Sequence, residues 1–73
     1  MDIRILDDNK IINATDLDIE IRGKYIVGLT NEKVVKNIKE CENEEEAEET
    51  MECIVECIMN AIKNEKNSLL IRI

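Results

Sequence analysis

The sequence predicts an α+β domain: a small antiparallel β-meander of three to five strands, one long amphipathic helix packed across one face, and a short C-terminal strand. Three observations predict it. Apolar residues recur at steps of three and four between Asn43 and Asn64, the spacing of one helix face. Apolar and polar residues alternate in several short runs before that stretch, and the alternation returns after it in Leu69, Ile71 and Ile73. At 73 residues the chain is expected to form a single domain, residues 1–73. A domain of that size buries only about 60% of its unfolded surface, so self-association, a metal or disulfides are the usual supplements.

Ile3 and Ile5 alternate with Asp2 and Arg4, so residues 2 to 6 read as a first strand. Asp7-Asp8-Asn9-Lys10 is turn chemistry, and residues 11 to 14 are expected to pair back as a hairpin arm. Leu17, Ile19 and Ile21 alternate with Asp18, Glu20 and Arg22 in the clearest strand of the chain. Gly23 opens a hairpin into Tyr25 to Thr30, where two rules conflict. A two-residue type II′ turn at Gly23-Lys24 pairs Ile21 with Ile26 and gives the sheet a second apolar face bearing Tyr25, Val27 and Leu29. A three-residue loop pairs Ile21 with Tyr25, Ile19 with Val27 and Leu17 with Leu29, all inward. Burial of three larger side chains, each worth roughly 1.5–3 kcal/mol, favours the second register. Thr30-Asn31-Glu32 is the next turn, and Lys33 to Glu40 the next strand, with Val34, Lys36 and Ile38 on one side and Val35, Asn37 and Lys39 on the other. Its lysines suit an edge strand.

Ala47, Met51, Ile54, Val55, Ile58, Ala61 and Ile62 form the apolar stripe of the helix. Asn43 is a good N-cap, and Glu46 three residues later completes a variant of the capping box. Glu44 and Glu45 complement the positive end of the helix dipole, and Lys63 and Lys66 the negative end. About 21 residues at 1.5 Å each give roughly 31 Å, enough to cross the sheet. Asn64 or Asn67 is expected to supply a left-handed stop before the last strand. A strand, helix and strand in succession make a crossover, right-handed if the two strands lie parallel in one sheet.

The outward face of that helix is an acidic row, Glu45, Glu49, Glu52 and Glu56, and residues 40 to 62 contain nine Glu and no Lys or Arg. Like charges at i,i+4 destabilise a helix by roughly 0.2–0.5 kcal/mol per pair, and an ordinary solvated helix interleaves Lys instead. The row either solvates the surface or docks a basic partner. The net charge is −7, so ten bases face eight acids in the rest of the chain, about +2. That balance and the single aromatic residue, Tyr25, argue against direct nucleic-acid binding, which uses basic surfaces and stacking platforms. Three cysteines cannot pair off within one chain, which points to a reducing compartment. No basic-then-apolar leader and no membrane-length apolar run is apparent, so a cytoplasmic location and no membrane partner are expected.

The stretch Cys41-Glu42-Asn43-Glu44-Glu45-Glu46-Ala47, continuing through Met51 to Ile58, resembles small uncharacterised proteins of low-G+C bacteria and their prophages. Those proteins have a strand-rich half, a tyrosine, a Ser/Thr-Glu-Glu-x-Ala helix start and an aliphatic helix body. Cys41 stands where the tyrosine would be expected, and Glu45-Glu46-x-Glu48 blurs the start motif. The resemblance covers about a third of the chain and implies a mobile-element context without an assigned chemistry.

Catalysis is poorly supplied. There is no His, Ser68 is the only serine, Gly23 and Gly28 are too far apart for a phosphate loop, and carboxylates on an exposed helix face lack the cleft that raises one pKa. The chain is therefore not expected to be an enzyme, and no catalytic residue or cofactor is assigned. Cys53 and Cys57 lie one helical turn apart, but Cys41 is roughly 15–18 Å along the axis from Cys53, so no metal site is expected and Cys57 reads as a small apolar residue. The function that fits best is a small acidic protein-interaction module that docks a basic protein through Glu45, Glu49, Glu52 and Glu56 or through the sheet face, with self-association as a homodimer. The alternative is an inhibitor that imitates nucleic acid, since the row presents about one charge per 4 Å of helix axis against one per 3.4 Å for a DNA strand.

Overall fold

In the computed structural model, which describes residues 1–73, the alternating runs become six strands and the periodic run one helix. They follow the order β1 (Asp2–Asp7), β2 (Lys10–Asn13), β3 (Asp18–Arg22), β4 (Tyr25–Thr30), β5 (Lys33–Glu40), α1 (Glu44–Lys63) and β6 (Ser68–Arg72). The architecture is α+β and mostly antiparallel, as the sequence predicts. The strands divide between two three-stranded sheets, β2-β1-β6 and β3-β4-β5. β6 runs parallel to β1, with Ile71 opposite Ile5, so the two ends of the chain meet in one sheet. Backbone bonds from Asp2 N to Asn67 O (2.9 Å) and from Ile73 N to Leu6 O (3.0 Å) extend that pairing. The helix thus carries the chain from one sheet to the other, and the parallel crossover between β5 and β6 does not arise.

The sheets approach each other along β2 and β5 and diverge toward β6 and β3. On the close side Lys36 Nζ donates to Asn13 O (3.3 Å), and Lys39 pairs with Asp7 on β1 at 3.1 Å. That half-buried hydrogen bond to Asp7 raises the Lys39 pKa despite the opposing effect of burial. On the open side α1 packs against β6, β3 and β4. Ile54 at its centre is fully buried among Ile5, Ile12 and Ile71 of one sheet and Ile26 and Ile38 of the other. Ala47 and Ala61, a turn or two to either side, are small enough for the backbone to approach closely. At about 30 Å for its 20 residues, the helix runs nearly the full 33 Å of the molecule.

The hairpin at Gly23 takes the two-residue register, with Ile21 opposite Ile26 and Arg22 opposite Tyr25. Gly23 has φ +62° and Lys24 is not in the positive-φ region, the pattern of a type II′ turn. The expectation that burial would impose the other register fails for a tertiary reason. β4 is the central strand of its sheet, and Val27 and Leu29 on its outer face remain only 6% and 4% exposed. With both faces screened by neighbouring strands, burial hardly distinguishes the registers, and the turn preference decides. The inner face instead uses Gly28 as a socket: the Leu17 Cδ1 atom lies 2.7 Å from where a Cβ on Gly28 would stand.

β5 is an edge strand, as its lysines suggest, but its sides do not alternate simply. The register shifts twice against β4, leaving Val35 and Ile38 as extra residues. Val34 consequently lies opposite Leu29 on the outer face and Lys36 opposite Gly28 on the inner one, so the expected grouping of Val34, Lys36 and Ile38 is broken. Asn31 and Glu32, both at positive φ, turn β4 into β5.

Asn43 caps α1 as expected, its Oδ1 accepting from Glu46 N at 2.8 Å. At the other end the left-handed stop falls on neither Asn64 nor Asn67. Asn64 is the C-cap at φ −92°, and Glu65, at φ +54°, is the left-handed residue. Lys66 N donates to Ala61 O (3.0 Å) and Glu65 N to Ile62 O (3.1 Å), the paired bonds of a Schellman motif. The stripe is also narrower than its sequence. Seated in the opening between two sheets, α1 buries an arc of only about 120°, and Val55 and Ile62, roughly 80–100° from Ile54 around the axis, are 40% and 61% exposed. Cys57, on the other flank, is half-buried and packs against the core.

Candidate functional site: the acidic face of the helix

At 100° per residue, Glu45, Glu49, Glu52 and Glu56 fall roughly 160–220° from Ile54, on the side of α1 directly away from the core. All four are exposed. The apolar arc fixes this direction: with Ala47, Ile54 and Ala61 buried in the opening, the glutamates have no other place to point. The row runs about 16 Å along the helix axis. Its charges are not neutralised within the chain. The four ion pairs are Arg4–Asp2, Arg22–Glu20, Lys24–Glu40 and Lys39–Asp7, and none involves a helix residue. Lys63 is the only base on the helix, in its last turn.

The sheet face around Tyr25, the other place a partner could be received, is the outer side of β3-β4-β5. The type II′ register puts Arg22 beside Tyr25, Glu20 beside Val27 and Asp18 beside Leu29 there. A hollow of about 400 Å³ opens over it, lined by Asp18, Glu20, Arg22, Leu29 and Glu32. Three of its four ionisable residues are acidic. Val27 and Leu29 are already screened, so the face offers a charged surface beside the exposed Val34. Lys24 Nζ stands 5.7 Å from the Tyr25 ring centroid and 3.3 Å from Glu40, closing one end of it. A second hollow, about 280 Å³, lies in the seam between β2 and β5 and is lined by Lys10, Ile11, Ile12, Lys36 and Asn37.

Cys53 and Cys57 neighbour each other one turn apart on α1, whereas Cys41 precedes the helix. Cys41 is 2% exposed in the main core, Cys53 lies on the surface, and Cys57 is half-buried. Burial, and secondarily the neighbouring Cys53, pushes the Cys57 thiol above its ordinary value of 9.0. No three His, Cys, Asp or Glu side chains converge to hold a metal ion. At the start of the chain the Thr15 hydroxyl donates to Asp2 Oδ1 (2.8 Å) and accepts from Ile3 N (3.0 Å), which holds the Asp2 carboxyl below its ordinary 3.8. Arg4 adds a smaller effect in the same direction. These contacts tie β1 to the loop before β3.

What the sequence does not single out is a surface line formed by Val55, Met59 and Ile62, exposed by 40%, 66% and 61%. The signal was present as the i, i+4, i+7 spacing, but it is indistinguishable from core spacing until the width of the buried arc is known. Compared with known protein families, with curated proteins and with solved structures, the chain matches none. No helix is long and apolar enough to cross a membrane.

Proposed function

We propose that the chain is a non-catalytic interaction module that docks a protein with a basic surface through Glu45, Glu49, Glu52 and Glu56. The observation that carries this reading is the exposed, outward row of glutamates without a single basic partner in the chain. A surface serving solubility alone gains from mixed signs, since i,i+4 Glu–Lys neighbours stabilise a helix whereas Glu–Glu neighbours oppose it. A basic partner would relieve the repulsion in the row and be drawn toward it at long range. The nucleic-acid-mimicking inhibitor is the special case in which the partner's basic surface ordinarily holds phosphates.

The test is the double substitution Glu49→Lys and Glu56→Lys, which turns the repulsive pairs Glu45/Glu49 and Glu52/Glu56 into attractive ones without touching the core. Fold stability should stay level or rise, by about 1 kcal/mol or less. Binding should be lost: basic proteins retained from a lysate of the source cell by the wild type at low salt, and released by raised salt, should not be retained by the variant. Identical retained sets from the two proteins would refute the reading and leave the row as a solvating surface.

A further inference from the structure

We infer that Cys53 and Cys57 form a dithiol site for a trivalent metalloid hydroxide, of which arsenous acid is the type, held by two sulfurs across one turn of α1. The two residues stand at i and i+4, the spacing that makes neighbours on a helix surface. Cys53 is exposed and Cys57 half-buried, so a small molecule reaches the pair from solvent without unfolding the helix. Burial first, and then the charge and side-chain hydrogen bonding of Cys53, raise the Cys57 pKa, in keeping with two sulfurs within each other's reach. Cys41, buried ahead of the helix, takes no part.

Spacing and charge together select the ligand. A disulfide needs Cβ atoms about 3.5–4.5 Å apart, and i,i+4 neighbours on a helix stand about 5–6 Å apart, so direct oxidation would distort α1 whereas an inserted atom spans the gap. A soft cation such as Cu(I) could be that atom, but holding it between two thiolates expels two protons and leaves a net negative charge. That charge would build beside Glu49 and Glu56, four residues before and three after Cys53, and on a thiol whose pKa is already raised. Arsenous acid avoids both costs. Each thiol displaces one hydroxide from As(OH)3, and its proton leaves with that hydroxide as water. Two As–S bonds replace two As–O bonds, arsenic remains trivalent, and no net charge develops. Two thiols suffice because the third bond stays with hydroxide, so the site does not need the three-residue cluster of a metal ion.

Calorimetric titration of the full chain, reduced with a phosphine, with arsenite should show one equivalent bound, and native mass spectrometry should show the adduct formed with loss of two waters. Iodoacetamide mapping in the presence of arsenite should find Cys53 and Cys57 protected together. Two variants separate a bridge from a single-thiol adduct. Cys53→Ser, at an exposed position, should bind at least about a hundredfold more weakly, the order expected when the second bond is intramolecular. Cys57→Ala/Val55→Cys keeps the thiol count but sets the pair at i,i+2, about 200° apart around the helix, and should lose as much affinity. Should that double variant melt early, Cys53→Ser decides. Absence of arsenite binding, protection of Cys53 alone, or wild-type affinity in Cys53→Ser or in the folded double variant would overturn the site.

Discussion

Glu65 sits where helix C-termini prefer glycine, and replacing it should stabilise the protein. Its φ of +54° places an L residue with a Cβ in the left-handed region, and the two Schellman bonds, from Lys66 N to Ala61 O and from Glu65 N to Ile62 O, hold it there. A non-glycine residue in that conformation costs about 1–2 kcal/mol. Glycine removes the cost but returns roughly 0.5–1 kcal/mol to the unfolded chain as extra backbone freedom. The substitution also removes a negative charge from the negative end of the helix dipole, worth about 0.3 kcal/mol on an exposed site. The balance for Glu65→Gly is a gain of about 1 kcal/mol, and for a domain of this size that raises Tm by about 4–8 °C. Glu65→Ala is the control, because it removes the charge and keeps the Cβ, so only about 0.3 kcal/mol is expected from it. Thermal and urea melts of the three proteins measure the difference. Equal stability of the Gly and Ala variants would show that the left-handed residue does not limit the helix end, and the Schellman assignment would fall.

Ile54→Asp, which sets a charge at the fully buried centre of the helix stripe, should unfold the domain or lower its stability by more than about 4 kcal/mol, seen as a lost or strongly shifted circular-dichroism melt. Thiol alkylation followed by mass spectrometry should modify Cys53 first, Cys57 more slowly because it is half-buried with a raised pKa, and Cys41 only once the protein is unfolded. Asp2 has a folded pKa below its unfolded 3.8, so its bond to Thr15 contributes stability above that pH, lost as pH falls through the folded value. Thr15→Val should therefore lower Tm at neutral pH, and its deficit against the wild type should shrink as pH falls below 3.8; a deficit constant down to pH 2 would remove the charged hydrogen bond from the cause.

The helix and its direction follow from local pattern alone. The three-and-four spacing from Ala47 to Ala61, the Asn43 cap and the glutamates opposite the stripe are local patterns, read over one or two turns, and the acidic row was legible for the same reason. The alternating strands β1 and β3 were legible on the same basis, and β4 as a short apolar run between two turns. Tertiary structure decided what depends on partners distant in the chain. That β6 pairs with β1, more than sixty residues away, is not encoded in either strand's pattern, since Leu69, Ile71 and Ile73 would serve beside any strand with an apolar face. The register at Gly23 turned on β4 being central, which screens both its faces, and the broken alternation of β5 on two bulges that fit it to β4. The fate of Val55 and Ile62 was open for a similar reason: spacing gives the angular position of a side chain, but the width of the groove between two sheets decides how far around the helix burial extends.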